Sequence, residues 1–414
     1  MRNVPKLRFK EFCGEWEEKK FDEVFSFLQN NTFSRDCLTN EKQDVQNIHY
    51  GDILVKYNDI LEIDDKIPYI KKENSLEKFN SESYLKTGDI VIADTAEDFT
   101  VGKTIEIYNP EQKKVLSGLH TFSCRTNFDF ALGYLGQYLN TEKYHSQLIP
   151  LITGIKVSSI SKNSIKGTKI SFPIIKEQQK IADFLSNIDK KISITEEKLD
   201  LFKDYKKGIM QKIFKQELRF KDSNGNDYPE WEEKILGNII IKNKEKNKEN
   251  KYNLVQSISN KYGFVNQDEY FEDRRVASQD LKNYYVAKNK LFAYNPSRIN
   301  VGSLAYKEDN NISVISPLYV SFYSNKEYLI DKFLFNWLFS LPFVKQMSCS
   351  FEGSVRNNLS FETLSNFTIN LPCLEEQQKI ANFLSSIDNK IDNLTSELEN
   401  LKEFKKGLLQ QMFV

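Results

Sequence analysis

The sequence predicts a mixed α/β protein built as a tandem repeat, in which each of two globular regions is followed by one long helix. Three observations carry this prediction. A helical segment occurs twice, a short tag precedes each globular region, and the globular regions share strand-like landmarks in the same order. The chain has 414 residues, which is long for one domain, and its 40% hydrophobic content is sufficient for folded cores.

The repeated helical segment reads KEQQKIADFLSNIDKKI from Lys176 and EEQQKIANFLSSIDNKI from Glu375. Thirteen of the seventeen residues are identical, without a gap, at an offset of 199. Pro173 and Pro372 precede the two copies, and a proline is tolerated at the start of a helix because the first turn needs no N–H there. Both copies are therefore predicted to begin helices near these prolines.

Apolar residues in both copies recur at alternating steps of four and three, which is typical of a coiled coil. They are Ile181, Leu185, Ile188, Ile192, Leu199, Phe202, Ile209 and Ile213 in the first copy and Ile380, Leu384, Ile387, Ile391, Leu394, Leu398, Leu401, Leu408 and Met412 in the second. Thr195, Lys206 and Lys405 interrupt the pattern. At about 1.5 Å per residue each helix is roughly 50 Å long. The two helices most simply form an antiparallel coiled coil within the chain; the alternative is a pair of surface helices on globular cores.

A glycine follows a pair of lysines at the same place in both copies, at Gly208 and Gly407. Glycine within a helix costs about 1 kcal/mol relative to alanine. A close crossing of the two helices would explain its presence, and so would chance.

The tag before each globular region contains two matching stretches. Residues 7–10 (LRFK) recur at 218–221, and residues 15–19 (EWEEK) recur at 230–234. The predicted order is therefore tag, globular region, helix, repeated once. The corresponding domains are residues 1–172, a first spacer helix at 173–217, residues 218–371, and a second spacer helix at 372–414.

The two globular regions share landmarks although most of their sequence differs. Strand-like runs at 88–93 and 289–294 are followed by Val-Gly at 101 and 301. The alternating runs LHTFSCR and PLYVSFY come next, then helical stretches, and finally residues 154–161 match 353–360 without a gap. The two regions are thus predicted to share one frame and to differ in their loops.

This duplicated Pro-x-x-x-Glu-Gln-Gln-Lys-Ile-Ala-x-Phe-Leu-Ser-x-Ile-Asp helix, behind two unlike globular regions, resembles the specificity subunit of type I restriction–modification systems over the whole chain. The resemblance implies two target-recognition domains, each reading one half of a bipartite, asymmetric site on double-stranded DNA. It implies that the paired helices act as a spacer and dock two methyltransferase subunits, and that restriction (motor–nuclease) subunits complete the complex. A spacer of roughly 50 Å corresponds to about 14 base pairs.

Base readout favours Arg, Lys, Asn, Gln, Ser and Thr side chains on loops and helix starts. The candidates that flank the shared landmarks are Thr100, Lys103, Lys156, Ser158, Ser159 and Lys162 in the first region, and Arg298, Asn300, Arg356, Asn357 and Asn358 in the second. Arg35 and Arg274–Arg275 are weaker candidates. For each residue the alternative is a solvated side chain or a phosphate contact that carries no sequence information.

Residues outside the helical heptad pattern are candidates for docking partner subunits, because a repeated helix offers two equivalent surfaces. They are Gln178, Gln179, Asp189, Gln377, Gln378 and Asp388. The alternative for each is an ordinary solvated helix face.

No catalytic motif is recognisable in the sequence. Val101–Thr104 resembles the end of a phosphate-binding loop, but Glu97 stands where that motif needs glycine. The three histidines are interpreted as structural or surface residues, and the scattered cysteines do not indicate a metal site. We therefore expect a non-catalytic chain without a cofactor or metal of its own, with S-adenosylmethionine, ATP and Mg²⁺ used by partner subunits.

The sequence has no apolar stretch long enough to cross a membrane and no secretory signal, so a cytoplasmic location is expected. The formal net charge is +0, which argues against strong sequence-blind DNA binding by the isolated chain. The alternative functions are a coiled-coil interaction scaffold that does not bind DNA, and a self-sufficient nuclease or methyltransferase.

Overall fold

A computed structural model describes residues 3–109, 111–154, 156–267, 280–351 and 358–414. The chain divides into two compact units. Unit 1 comprises Met1–Glu196 and Ser396–Val414, and unit 2 comprises Glu197–Thr395. Each unit therefore contains a globular region together with part of each long helix.

The helices of the described residues are α1 (Phe21–Val24), α2 (Tyr50–Val55), α3 (Tyr134–Leu139), α4 (Glu142–Leu148), α5 (Lys162–Ile165), α6 (Ile175–Phe214), α7 (Asp331–Trp337), α8 (Leu341–Phe351), α9 (Phe361–Ser365) and α10 (Leu374–Met412). The two longest, α6 and α10, are the repeated segments, as predicted. Among the described residues, no helix combines the length and the apolar character that a bilayer crossing demands.

The strands of unit 1 are β1 (Glu17–Lys20), β2 (Phe25–Phe27), β3 (Leu38–Thr39), β4 (Gln46–Ile48), β5 (Ile60–Glu62), β6 (Tyr69–Ile70), β7 (Ile90–Ala93), β8 (Thr95–Ala96), β9 (Thr104–Tyr108), β10 (Val115–Ser117), β11 (Thr121–Thr126), β12 (Ser158–Ser159) and β13 (Lys169–Phe172). Those of unit 2 are β14 (Glu232–Ile235), β15 (Ile240–Lys242), β16 (Val255–Ser259), β17 (Gly263–Asn266), β18 (Tyr285–Ala287), β19 (Phe292–Tyr294), β20 (Leu304–Tyr306), β21 (Ser313–Ile315), β22 (Val320–Ser324) and β23 (Thr368–Leu371).

The two units share the central strand order of their sheets and differ in the outer strands. The order β2-β11-β7-β9-β5 in unit 1 corresponds to β15-β22-β19-β20 in unit 2. A second sheet in each unit contains a parallel pair, β4 with β10 and β16 with β21. The β1–β13 and β14–β23 pairs join the end of each tag to the strand that leads into α6 or α10. The predicted mixed α/β tandem repeat is confirmed.

The long helices run antiparallel within each unit. In unit 1, Asp189 of α6 pairs with Lys405 of α10 at 2.7 Å, and Glu196 pairs with Lys402 at 2.7 Å. In unit 2, Lys206 pairs with Asp388 at 2.5 Å, while the Lys390 ammonium lies over the Phe202 ring. In both units the residue number rises along one helix as it falls along the other, which confirms the antiparallel coiled coil.

The two lysines that interrupt the heptad pattern form equivalent ion pairs. Lys405 pairs with Asp189 in unit 1, and Lys206 pairs with Asp388 in unit 2. Lys405 also contacts Asp59 at 2.9 Å, and these two carboxylates keep its pKa raised although burial alone would lower it. At each interruption of the heptad pattern, the lysine is therefore paired with an aspartate of the facing helix. A close helix crossing does not explain Gly208 and Gly407, because a Cβ built on either would meet nothing within 4 Å.

Each tag is fastened to the start of a long helix by the same contact, here called the clasp. The Arg8 guanidinium donates through Nε and Nη2 to the two carboxylate oxygens of Glu177, at 2.7 Å each. In unit 2, Arg219 donates through Nη2 to Glu376 at 2.9 Å, and the Trp231 indole N–H donates to the same carboxylate at 3.1 Å. The tag and the helical motif are thus repeated together because their side chains bind each other.

Candidate nucleic-acid interface

In unit 1, turns that are distant in sequence meet at one edge of the sheets. The amide of Asp94, after β7, donates to the carbonyl of His120, before β11, at 3.1 Å. The Tyr50 ring, after β4, contacts the His120 ring with 5.3 Å between centroids. Because β4 and β10 are parallel, both of their carboxyl ends open onto this edge.

The turn around Ser158 joins the same edge. Strand β12 pairs with β8 through Ser158 and Ala96, and the amide of Ile160 donates to the carbonyl of Asp94 at 2.9 Å. We call residues 49–51, 94–103, 118–120 and 156–160 loop cluster 1. It brings together the sequence-predicted Thr100, Lys103, Lys156, Ser158 and Ser159.

Unit 2 has an equivalent assembly of turns. The Asn260 side chain, after β16, donates to the carbonyl of Val301 at 2.7 Å. The amide of Leu359 donates to the carbonyl of Pro296 at 3.0 Å, as Ile160 does to Asp94 in unit 1. We call residues 260–262, 295–303, 316–319 and 358–360 loop cluster 2.

Loop cluster 2 brings Arg298, Asn300 and Asn358 together, and all three are exposed. Arg298 caps the short 3-10 helix Ile299–Val301 through its backbone, so its guanidinium is not used in the cap. The predicted Arg356 and Asn357 lie outside the described residues, as do the weaker candidates Arg274 and Arg275.

Two of the predicted lysines have contacts within the protein. The Lys103 ammonium donates to the carbonyls of Leu54 and Tyr57 at 3.2 Å each, where it satisfies the end of α2. Burial lowers the pKa of Lys103. The Lys162 ammonium, outside loop cluster 1, lies over the rings of Phe27 and Phe122. Their DNA contacts remain predictions, and Thr100, Lys156, Ser158 and Ser159 are placed more favourably.

Loop cluster 1 also contains histidines that sequence reasoning did not select. His49 is 7% exposed, and its Nδ1 accepts the amide of Gly51 at 3.1 Å, so its proton resides on Nε2. Burial, with the nearby Arg35 guanidinium, lowers the pKa of His49. Arg35 itself is held by both oxygens of Asp52, at 2.7 and 3.0 Å. His120 is exposed, and its Nδ1 lies 3.3 Å from the Thr95 hydroxyl.

The expected exposure of two helix residues is wrong. Gln178 is 2% exposed, and its amide group donates to the carbonyl of Pro173 and accepts the amide of Ala131. Gln377 is 1% exposed, with equivalent contacts to Pro372 and Ile330. These glutamines fasten the helix starts to their own globular regions, so neither side chain is available to a partner.

The remaining docking candidates divide into two groups. Asp189 and Asp388 are half-buried and occupied by the interhelical lysines described above. Gln179 and Gln378 are exposed, and each donates to the side chain four residues further on, Asp183 or Asn382. Among these predicted docking residues, Gln179 and Gln378 present the most accessible side chains.

Two exposed aromatic residues were missed by the sequence reasoning. Tyr205 on α6 and Phe404 on α10 are 50% and 55% exposed, and they occupy the same position of the repeat, just before Lys-Lys-Gly. The periodicity could have revealed them, because an aromatic residue outside the seam at both repeat positions is unexpected on a solvated face.

Comparisons with known proteins agree with this organisation. The family model of the type I restriction modification DNA specificity domain matches residues 14–203 and again 209–403. The putative type I restriction enzyme MjaX specificity subunit of Methanocaldococcus jannaschii is 24% identical, over 98% of this chain and 95% of that protein. The MjaVIII specificity subunit of the same organism is 28% identical, over 62% of this chain and 64% of that protein.

Solved structures show the same fold. The crystal structure of a type I restriction-modification system S subunit from M. genitalium has a TM-score of 0.57 at 15% identity, covering 99% of both chains. A chain from a study of complex assembly and conformational transition of the type I R-M system has a TM-score of 0.55 at 16% identity, covering 96% of this chain and 97% of that one.

Proposed function

Because the chain belongs to the type I restriction–modification DNA specificity family, as a specificity subunit with two specificity domains, we propose that each unit reads one half of a bipartite DNA site through its loop cluster. The observation that carries this proposal is one frame used twice with unlike loops. A scaffold that does not bind DNA is not favoured, since the family match includes both globular regions.

The chemistry of the two clusters differs in a way that suits two different half-sites. Loop cluster 1 offers the exposed Lys156 and the Ser158 hydroxyl, together with the Thr100 and Ser159 hydroxyls, which also bond to Asp98 and Thr153 within the protein. Loop cluster 2 offers the Arg298 guanidinium and the Asn300 and Asn358 amides. Arginine pairs well with guanine and asparagine with adenine in the major groove, whereas hydroxyls are less selective.

Replacing Arg298 by alanine is expected to relax recognition in the second half-site alone. Loss of one base-reading arginine should reduce discrimination at one position by about 1–3 kcal/mol. Since Arg298 is exposed, folding should be unaffected. Methylome sequencing of a strain that carries this variant measures both half-sites at once.

Lys345→Ala is the matched control, because Lys345 is an exposed cation of unit 2 on α8, outside loop cluster 2. The control should leave the methylated motif unchanged. Equal relaxation of both half-sites by Arg298→Ala, or an unchanged motif, would contradict the assignment of Arg298.

The coiled coil is proposed to dock two methyltransferase subunits at two equivalent surfaces. We propose that each surface includes an exposed glutamine and an exposed aromatic residue of one unit: Gln179 and Phe404 belong to unit 1, and Gln378 and Tyr205 belong to unit 2. Exposed aromatic residues are common energetic centres of protein interfaces. The repeat therefore accounts for two copies of one partner on one chain.

Phe404→Ser and Tyr205→Ser are each expected to remove one methyltransferase subunit from the complex. Loss of a central aromatic contact typically costs at least about 2 kcal/mol, or roughly 30-fold in affinity. Mass photometry of the reconstituted complex counts the bound subunits. Leu201→Ser is the control, because Leu201 is 61% exposed on α6 but its repeat counterpart is Asn400. Retention of both partners by the two aromatic variants would refute this surface.

The chemical steps are proposed to belong to the partners. In this proposal the methyltransferase subunits bind S-adenosylmethionine, and the restriction subunits use ATP and Mg²⁺, while this chain contributes recognition in the cytoplasm. A binding assay with labelled S-adenosylmethionine tests the division of labour: the isolated chain should not retain it and the methyltransferase complex should.

A further inference from the structure

Loop cluster 1 presents a phenylalanine to solvent. Phe99 is 75% exposed. Val101, two residues later, and Ile92, in the preceding strand β7, are both buried. Single exposed aliphatic residues are normal on a protein surface. A largely exposed aromatic ring on a turn of a recognition surface is unusual, because burying a phenylalanine is worth about 1.5–3 kcal/mol.

The turn that carries Phe99 is held by hydrogen bonds on both sides. The Asp98 carboxylate accepts the backbone amide of Thr100 at 2.9 Å and the Thr100 hydroxyl, and these bonds lower the pKa of Asp98. The amide of Gly102 donates to the carbonyl of Ala93 at 2.8 Å, where the φ of +92° suits glycine. Phe99 is therefore presented by a preorganised turn.

The turn is also connected to neighbouring elements of unit 1. The Lys103 ammonium, which follows the turn, donates to the carbonyls of Leu54 and Tyr57 and so joins the turn to α2. The adjacent strand β12 pairs with β8 at the base of the same turn. The turn is therefore held firmly and carries an apolar side chain at its tip. Such a side chain can insert between stacked base pairs of DNA.

Loop cluster 2 has an apolar tip of the same kind on a different turn. Leu318 is 79% exposed, and its amide donates to the Ser316 hydroxyl at 3.3 Å. Strand β22 pairs with β19 as β11 pairs with β7. In this shared arrangement, Leu318 occupies the position that His120 has in unit 1. Phe99 and Leu318 are the most exposed large apolar residues of their clusters, which also expose Val157 in cluster 1 and Tyr262 and Val301 in cluster 2, and the two tips come from unlike turns.

We propose that Phe99 is an apolar wedge that inserts between adjacent base pairs of the half-site read by unit 1. The proposal rests on the proposed function of loop cluster 1. The wedge would unstack one step, and flexible pyrimidine–purine steps would be favoured because they unstack most easily. Phe99 would then contribute to specificity without hydrogen bonds to a base.

The test uses the full chain assembled with its methyltransferase subunits and a duplex that contains the motif found by methylome sequencing. The duplex carries 2-aminopurine at successive steps of the half-site, and the base that becomes methylated is left unlabelled. Binding of the wild-type complex is expected to raise the 2-aminopurine fluorescence at one step. Phe99→Ala should abolish this rise and weaken specific binding by about 5- to 150-fold.

Val55→Ala is the matched control, because Val55 is 80% exposed in unit 1 but lies outside loop cluster 1. It should leave both the fluorescence and the affinity unchanged. Failure of the wild-type complex to bind the specific duplex would overturn the proposed function itself. Specific binding without a fluorescence rise, or with a rise that Phe99→Ala retains, would overturn the wedge alone.

Discussion

Arg8→Met is expected to destabilise unit 1 by about 3–5 kcal/mol, because it leaves the Glu177 carboxylate buried without its cation. Glu177 is 1% exposed and accepts two charge-assisted hydrogen bonds from Arg8. Methionine preserves most of the length of the side chain, so the loss does not report a cavity; it reports the charge together with the hydrogen bonds that Arg8 donates to the carbonyls of Gly14 and Cys13. Native-state hydrogen exchange read by mass spectrometry measures the stability of unit 1 separately from that of unit 2.

Two further variants make this expectation specific. Arg8→Met combined with Glu177→Gln should recover much of the loss, because no unpaired charge remains. Lys86→Met breaks an exposed pair with Glu82 in the same unit, and it should cost less than about 1 kcal/mol. If Arg8→Met and Lys86→Met reduce the stability of unit 1 by similar amounts, the clasp does not contribute the stabilisation expected of it.

The repeat offers an internal comparison in unit 2. Arg219→Met removes the equivalent guanidinium, but Glu376 retains the indole N–H of Trp231 at 3.1 Å. The loss in unit 2 is therefore expected to be smaller than the loss that Arg8→Met causes in unit 1.

The stability of unit 1 is expected to fall as the pH rises from about 4.5 to about 7, through the ionisation of Glu106. Burial raises the pKa of Glu106 to about 7 from its ordinary value of 4.5, although the amides of Gly136, Gly133 and Leu135 oppose the shift. Since the folded form binds the proton more tightly, the stabilisation is complete below pH 4.5 and is lost as the pH passes 7. The loss is about 3 kcal/mol, at about 1.4 kcal/mol per pH unit.

Glu106→Gln isolates this contribution. The difference in unfolding free energy between wild-type and Glu106→Gln should change by about 3 kcal/mol across this interval. Unit 2 supplies the control in the same samples, because Tyr306 stands at the equivalent position of β20 and donates to Asp331, at the start of α7, at 2.7 Å. The difference measured for unit 2 should not vary with pH. If the unfolding free energy of unit 1 varies with pH in the same way in wild-type and Glu106→Gln, Glu106 is not the group responsible for the pH dependence.

The helices show how far local patterns predict structure. The heptad spacing correctly predicted two long helices that pack on each other, since burial of an apolar stripe depends on residues a few positions apart. The same spacing marked Lys206 and Lys405 as interruptions without revealing their partners. In the folded chain each lysine meets an aspartate of the facing helix, Asp388 or Asp189. Which aspartate faces which lysine depends on the register of the two helices, and that register is set by contacts between residues far apart in sequence.

The glutamines show where such patterns fail. Gln178 and Gln377 occupy polar positions of the repeat and were expected on an exposed face. They are buried because the backbone amides of Ala131 and Ile330, far away in sequence, come to meet them. A helical pattern records which face is apolar, but not which polar residues a neighbouring globular region covers.

The sequence by itself determined the duplicated architecture, the two long heptad-bearing helices, the family and the general position of the loops that differ between the two units, because these features follow from repeats and short-range periodicity. Only the tertiary structure decided which turns form loop clusters 1 and 2, that Lys103 is held by α2, and that Phe99 stays exposed. Those features depend on sheet pairing between residues far apart along the chain, where the exposure of one side chain is set by what folds beside it.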